Sequence, residues 1–185
     1  MKKIIIAFIL CFVSIGVSAQ YSIGDYVQLV KGITGWYQDK IAIAVMNVND
    51  KEIPIMVLCS HSSLDYDVFN EESRILIKFD DDTKMTLHRV PDDETIKDYD
   101  NAVYNGILYH HYYTFTHYII EKEFLLKILQ NGITKVRVVK ANGNANEYDI
   151  KESYQKTLTE KLKDSYIAAR KENKQKEKNM NDEDF

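Results

Sequence analysis

Arg74-Ile75-Leu76-Ile77-Lys78-Phe79-Asp80-Asp81-Asp82-Thr83-Lys84-Met85-Thr86-Leu87-His88-Arg89-Val90 reads as two alternating runs around three acids. Its core-forming side chains, Ile75, Ile77, Phe79, Met85 and Leu87, are all odd-numbered. A hairpin that gathers them on one face therefore needs a loop of odd length. The loop Asp80-Asp81-Asp82 pairs Phe79 with Thr83, Ile77 with Met85 and Ile75 with Leu87. Such a turn closes with Asp82 in the left-handed region, where Gly fits most easily and Asp is tolerated.

The same device recurs further along. Pairing Val138 with Asn146, Val136 with Tyr148 and Thr134 with Ile150 leaves Ala141-Asn142-Gly143 as the loop, with Gly143 at the positive φ. A two-residue Asn-Gly turn would instead set Val136 and Val138 against Asp149 and Glu147. That register buries acids with valines and is rejected.

Between the hairpins, residues 121–130 read as a short helix. Phe124, Leu125, Ile128 and Leu129 recur at helical spacing, acids occupy the first turn, and Asn131-Gly132 closes it. After Ile150 comes a longer one. Tyr154, Leu158, Leu162 and Tyr166, with Ile167 and Ala169 beside them, make an apolar stripe to lie on the sheet. From Arg170 the chain turns to Lys, Glu, Asn, Gln and Asp, which predicts a frayed helix end and a disordered tail.

Strands are expected at 26–31, 41–48, 53–59, 74–79, 83–90 and 106–120, all rich in β-branched and aromatic residues. Pro54 implies that the third begins there or lies at a sheet edge. The architecture expected is α+β: an antiparallel, hairpin-rich sheet of six to eight strands, with the short helix and the long C-terminal helix packed on it.

At the start, Met1-Lys2-Lys3, the apolar run 4–13 and the small residues Val17-Ser18-Ala19 make the three-part layout of a secretory signal peptide. The run is too short to be a spanning helix, which needs about 20 residues, and no later segment approaches that length. A lipoprotein acylated at Cys11 is disfavoured, because bulky Ile9 and Leu10 precede it inside the run. The expected organisation is a signal peptide over 1–19, one domain over 20–169 and a charged tail over 170–185. The destination is the periplasm or the exterior.

Cleavage removes Lys2 and Lys3, leaving 22 basic against 28 acidic side chains, a net charge of −6. Nucleic acid and anionic lipid are poor partners for that balance. Only Cys59 survives, so no intramolecular disulfide can form, and its place after Ile53-Pro54-Ile55-Met56-Val57-Leu58 suits a buried, inert thiol.

No nucleotide-binding glycine loop, HExxH, CxxC or GxSxG is present. Cys59-Ser60-His61-Ser62-Ser63 holds the ingredients of a thiol hydrolase, but residues two apart on a strand lie about 7 Å from each other, beyond hydrogen-bond reach. His88, His110, His111 and His117 could suggest a metal site. Strand geometry sends His110 and His111 to opposite faces, so ligands from a neighbouring strand would be needed. Asp80-Asp81-Asp82 and Asp92-Asp93-Glu94 lack the spacing of a calcium loop and read as solvated turns. No catalytic residue, metal or cofactor is assigned.

The segment 109–118 is the least ordinary. Ile107, Tyr109, Tyr113, Phe115 and Ile119 are expected to face the core. His110, Tyr112, Thr114, Thr116 and Tyr118 would then look outward, offering amphipathic rings for recognition.

The pieces Arg74-Ile75-Leu76-Ile77-Lys78-Phe79, Met85-Thr86-Leu87, Phe124-Leu125-Leu126-Lys127-Ile128 and Ile133-Thr134-Lys135-Val136-Arg137-Val138 resemble a group of small, uncharacterised exported proteins of Gram-negative gut-type bacteria. The resemblance spans roughly residues 70–168, and the signal peptide ending Ser-Ala-Gln is similar too. Asp82 stands where such turns usually carry Gly. The resemblance implies export and an α+β fold and transfers no catalytic residue. The function expected is an exported, non-catalytic module that binds a protein or cell-envelope component. A Cys/His hydrolase or a His-strand metalloprotein is the alternative.

Overall fold

Ile75, Ile77, Phe79, Met85 and Leu87 do share one buried face. A computed structural model of the chain describes residues 20–29, 39–48, 51–91 and 93–183. In it β5 (Arg74–Phe79) pairs with β6 (Lys84–His88) through Ile75↔Leu87 and Ile77↔Met85. The Phe79 N–H donates to the Thr83 carbonyl at 3.0 Å, and Asp82 takes φ 61°. The second hairpin joins β9 (Ile133–Val139) to β10 (Ala145–Asp149) with Val138↔Asn146 and Val136↔Tyr148, and Gly143 takes φ 79°. Both registers are those expected from the parity of the apolar residues.

Strand β5 also pairs with β9, so the two hairpins form a four-stranded sheet of their own, ordered β10-β9-β5-β6. The other strands are β1 (Gln20–Ile23), β2 (Val27–Gln28), β3 (Lys40–Val48), β4 (Lys51–Ser62), β7 (Ile96–Tyr104) and β8 (Ile107–Ile119). They form a second antiparallel sheet, β1-β3-β4-β8-β7, with β2 also on β3. The α+β class, the short helix α1 (Lys122–Gln130) and the long C-terminal helix α2 (Glu152–Glu183) are as expected. The strands, ten among the described residues, divide between two sheets.

Pro54 lies inside β4, which starts at Lys51, and not at its beginning. It is tolerated because β8 stops pairing at Ile55; only the Pro54 carbonyl is used on that side, accepting from Ile120 N–H at 3.2 Å. Of the strand expected over 26–31, Val27 and Gln28 are paired, while Val30 and Lys31 lie outside the described residues. The strand expected over 106–120 has a partner the sequence reading did not include, β7.

The main core lies between the sheets and under the helices. Ile41, Ile43, Met56, Leu58 and Tyr118 meet Ile75, Ile77, Phe79, Val136 and Val138, closed over by Leu125, Ile128, Leu158 and Leu162. The opposite face of β3 and β4 buries Ala44, Ile55 and Val57 against Met46, Ile53 and Val90. A polar joint seals the end of the core. Ser60 Oγ lies 2.7 Å from Asp39 and 2.5 Å from Asp67; Asn146 donates to Asp39 at 3.1 Å and Lys140 to Asp67 at 2.7 Å. It ties β4 to the β9–β10 hairpin, with its polar atoms satisfied mutually as burial requires.

Two expectations for α2 are corrected. Ile167 is exposed, and Ser165 is buried, its Oγ accepting the Ile43 N–H at 3.0 Å. The region from Arg170 is not a frayed end: the helix runs to Glu183, Arg170 Nε reaches Glu52 at 3.1 Å, and buried Asn173 exchanges side-chain amide bonds with Asn47 at 2.8 and 3.1 Å.

Where α2 crosses, no described strand pairs with Ala42 and Ile43 on the outer edge of β3. β1 pairs with Ala44 to Asn47 and β2 with Lys40 and Ile41; in the gap Gly24 N–H donates to the Ile43 carbonyl. A Cβ on Gly24 would lie 1.9 Å from the backbone oxygen of Ser165. Helix and strand approach this closely only because the side chain is absent. Gly24→Ala is expected to cost about 3 kcal/mol, the upper part of the overpacking range. Chemical denaturation reads this as a lower midpoint, and an unchanged midpoint would contradict the close approach.

Candidate functional site

Strand β8 is longer than the neighbour that supports it. β4 pairs with Tyr112 to Ile119, whereas β7 pairs with Ile107 to Phe115. Residues 107–111 of β8 and their partners 100–104 of β7 therefore extend past the end of β4 as a two-stranded arm. Asn105 and Gly106, at φ 51° and 77°, close it as the two-residue turn that suits a hairpin's twist. An isolated ribbon of two strands is marginally stable in water.

The arm carries apolar side chains into solvent. Val103 is 70% exposed, Ile107 58% and Leu108 54%. Val103 and Leu108 are cross-strand partners on one face, followed by Asn101 with His110, Tyr99 with Tyr112 and Lys97 with Thr114. Rings continue the patch: Tyr99 stacks on His110 at 5.9 Å and tilts against Tyr112 at 5.0 Å, and Tyr66 meets Tyr112 edge-on at 5.1 Å. Polar atoms tie it together, with Tyr99 OH donating to Asn101 Oδ1 at 2.6 Å and His110 Nδ1 lying 2.8 Å from the same oxygen. Lys97 Nζ lies 5.1 Å from the centre of the Tyr66 ring, within cation–π range.

Of the residues expected to look outward, His110 is exposed and Tyr112 half-buried, both within this patch. Thr114, Thr116 and Tyr118 are not outward; all three are fully buried. Tyr118 belongs to the main core, burial pushes its phenol up to about 12, and Thr116 donates to its hydroxyl at 3.4 Å. Thr114 Oγ1 has no hydrogen-bond partner among the described residues. The reason is positional: in its second half the even-numbered face of β8 packs toward the four-stranded sheet, where Tyr118 joins the core of Ile75, Ile77 and Val136, whereas the arm lies past the end of β4. Ile107, expected in the core, is at the exposed tip.

The other face of β8 gathers the groups of the enzyme alternative. His61 Nε2 and His111 Nδ1 lie 2.8 Å apart, and Tyr113 stacks on His61 at 4.8 Å. Cys59 is buried; burial, aided by Asp39 and Asp98 and opposed by Lys40, pushes its thiol up to about 11. A thiol so placed stays protonated near neutrality and lacks the character of a nucleophile. His117 is buried against Asp93, with Nδ1 at 2.9 and 3.0 Å from its two oxygens; Arg89 donates to the Asp93 carbonyl and to Thr95 at 2.9 Å. Among the described residues, no group of three or more His, Cys, Asp or Glu side chains could hold a metal ion. Asp92 lies outside the described residues.

The sequence reading missed Tyr66, Tyr99 and all of β7. The available signal was Asn105-Gly106 between two aromatic-containing runs, a strong hairpin mark. Compared with known proteins, the chain matches no family model, no curated protein and no solved structure.

His61 gives this face a pH response. Burial first, then His111 and Lys40, holds its pKa below the usual 6.5. The folded-state value is thus below the unfolded one, and the stability this neutral ring contributes is complete above about 6.5 and lost as pH falls from there through the lower folded-state value. His61→Gln is expected to flatten the decline of the denaturation midpoint between about pH 7.5 and about pH 5. An equally steep decline in the variant would assign the titration elsewhere.

Proposed function

We propose that the chain is an exported, non-catalytic binding module that holds a protein partner through the β7–β8 arm. One observation carries the reading: Val103, Ile107 and Leu108, each more than half exposed, stand on a ribbon that projects past its supporting strand. Val103 and Leu108 share the face of the ring patch and Ile107 stands at the tip on the other; exposed apolar surface of this kind is a mark of protein–protein contact. The neighbouring Tyr66, Tyr99, Tyr112 and His110 supply rings that are apolar in body and polar at the rim, the type enriched in interface hot spots. Export is supported by the layout of residues 1–19 and by the resemblance through 70–168. The net charge of −6 after cleavage favours a protein over nucleic acid or an anionic membrane. No helix among the described residues is long and apolar enough to cross a membrane.

The test is capture from the producing organism's envelope fraction by the wild type and by Val103→Ser/Leu108→Ser, after both are shown to be folded. A specific envelope protein held by the wild type should be depleted about tenfold or more on the variant, the effect of removing two apolar anchors. Equal capture by the folded variant would contradict docking through the arm.

A further inference from the structure

The outer edge of β7 has a chemistry of its own. β7 ends the sheet order β1-β3-β4-β8-β7, and no described strand pairs with that edge. The closing pair Tyr104↔Ile107 of a two-residue hairpin is a hydrogen-bonded pair, so the bonded pairs continue at Ala102, Asp100, Asp98 and Ile96. The N–H and C=O groups of Lys97, Tyr99, Asn101 and Val103 consequently point away from β8, toward the open side.

Two of those N–H groups meet carboxylates. Tyr99 N–H donates to Asp98 Oδ1 at 2.8 Å and Asn101 N–H to Asp100 Oδ1 at 2.7 Å. Each aspartate caps the donor that follows it, and both side chains are exposed. A strand arriving at this edge must replace these bonds and meet two negative charges on one face of the ribbon. On the other face it meets Tyr99 and Val103.

The aspartates disfavour a second copy of the chain in the registers that bring them together. In an antiparallel self-pairing centred on Tyr99, Asp98 and Asp100 of one copy face Asp100 and Asp98 of the other; centred on Asp100, that residue faces itself. Like charges directly opposite destabilise a sheet. A segment with basic side chains at alternate positions instead takes up both carboxylates as it frees the amides. We propose that the β7 edge accepts, by strand addition, an extended segment of a partner protein that carries Lys or Arg on the Asp98/Asp100 face and apolar side chains on the Tyr99/Val103 face. This deepens the binding-module reading and rests on it. The same two aspartates keep the edge closed to neutral and acidic strands, as charged residues do on natural sheet edges.

The test uses the full chain, isotope-labelled for backbone NMR, and a nine-residue peptide of alternating Val and Lys, matched to the length of β7. The expected result is saturable binding, with shifted and slowly exchanging amides at Lys97, Tyr99, Asn101 and Val103. The same peptide with Glu for Lys should bind about tenfold or more weakly, and alternate backbone N-methylation should abolish binding. Asp98→Ala/Asp100→Ala should bring the Lys and Glu peptides within about threefold of each other. Absent binding, perturbation confined to other strands, equal affinities for the wild type, or a preference undiminished in the double variant would each overturn the proposal. If the envelope partner is lost from Val103→Ser/Leu108→Ser while the Lys peptide leaves the β7 amides unchanged, strand addition fails and arm docking stands. If the Lys peptide protects those amides while the partner stays on that variant, arm docking fails and the edge assignment stands.

Discussion

The rest of the structure depends on β4 being enclosed on both faces and both edges. Ile55, Met56, Val57 and Leu58 are wholly buried, the odd pair against Ala44 and the even pair in the main core. β3 takes one edge and β8 the other. Full burial of a Val, Leu, Ile or Met side chain stabilises by about 1.5–3 kcal/mol. A run of them that leaves no face to water fixes where every neighbouring strand must lie. It also explains how the described part of the chain holds together without a disulfide: its free Cys59 simply extends the packed run.

The enclosure ends abruptly, and the candidate site begins at that point. From Ser60 the β4 side chains become polar; Ser60 meets Asp39 and Asp67, which in turn hold Asn146 and Lys140, and the strand stops at Ser62. β8 continues outward from there with β7 as its one partner strand among the described residues. One strand thus has two environments. Its second half presents Thr114, Thr116 and Tyr118 to the core, while its first half presents His110 and Tyr112 to a surface patch. The paired histidines His61 and His111 sit at this junction, on the opposite face.

What was legible in the sequence follows the same division. The two hairpins could be placed residue by residue because only one face of each is apolar and the loops carry a residue able to take positive φ. For β8 the alternation had no such contrast: rings, histidines and threonines occupy both faces, so parity gave the wrong side for Thr114, Thr116 and Tyr118. β7 escaped notice because Asp98, Asp100 and Asn101 are residue types depleted in strands, whereas on an open edge the two aspartates guard backbone donors. In α2 the repeat of four from Tyr154 to Tyr166 drifts by about 40° per step around a helix of 3.6 residues per turn. The buried stripe instead runs Leu158, Leu162, Ser165, Ala169 and Asn173, and its two polar members concealed both the true face and the ordered helix beyond Arg170.

Native-state amide hydrogen exchange, resolved along the chain, distinguishes a fully enclosed β4 from an arm held by little beyond its own ribbon. Amides of residues 55–60 and 114–118 should exchange only through global unfolding. Those of 100–111 should exchange through local opening, at far lower cost than unfolding. Arm amides as protected as those of β4 would contradict this division, because the arm would then be an integral part of the packed sheet and not a projection free to engage a partner.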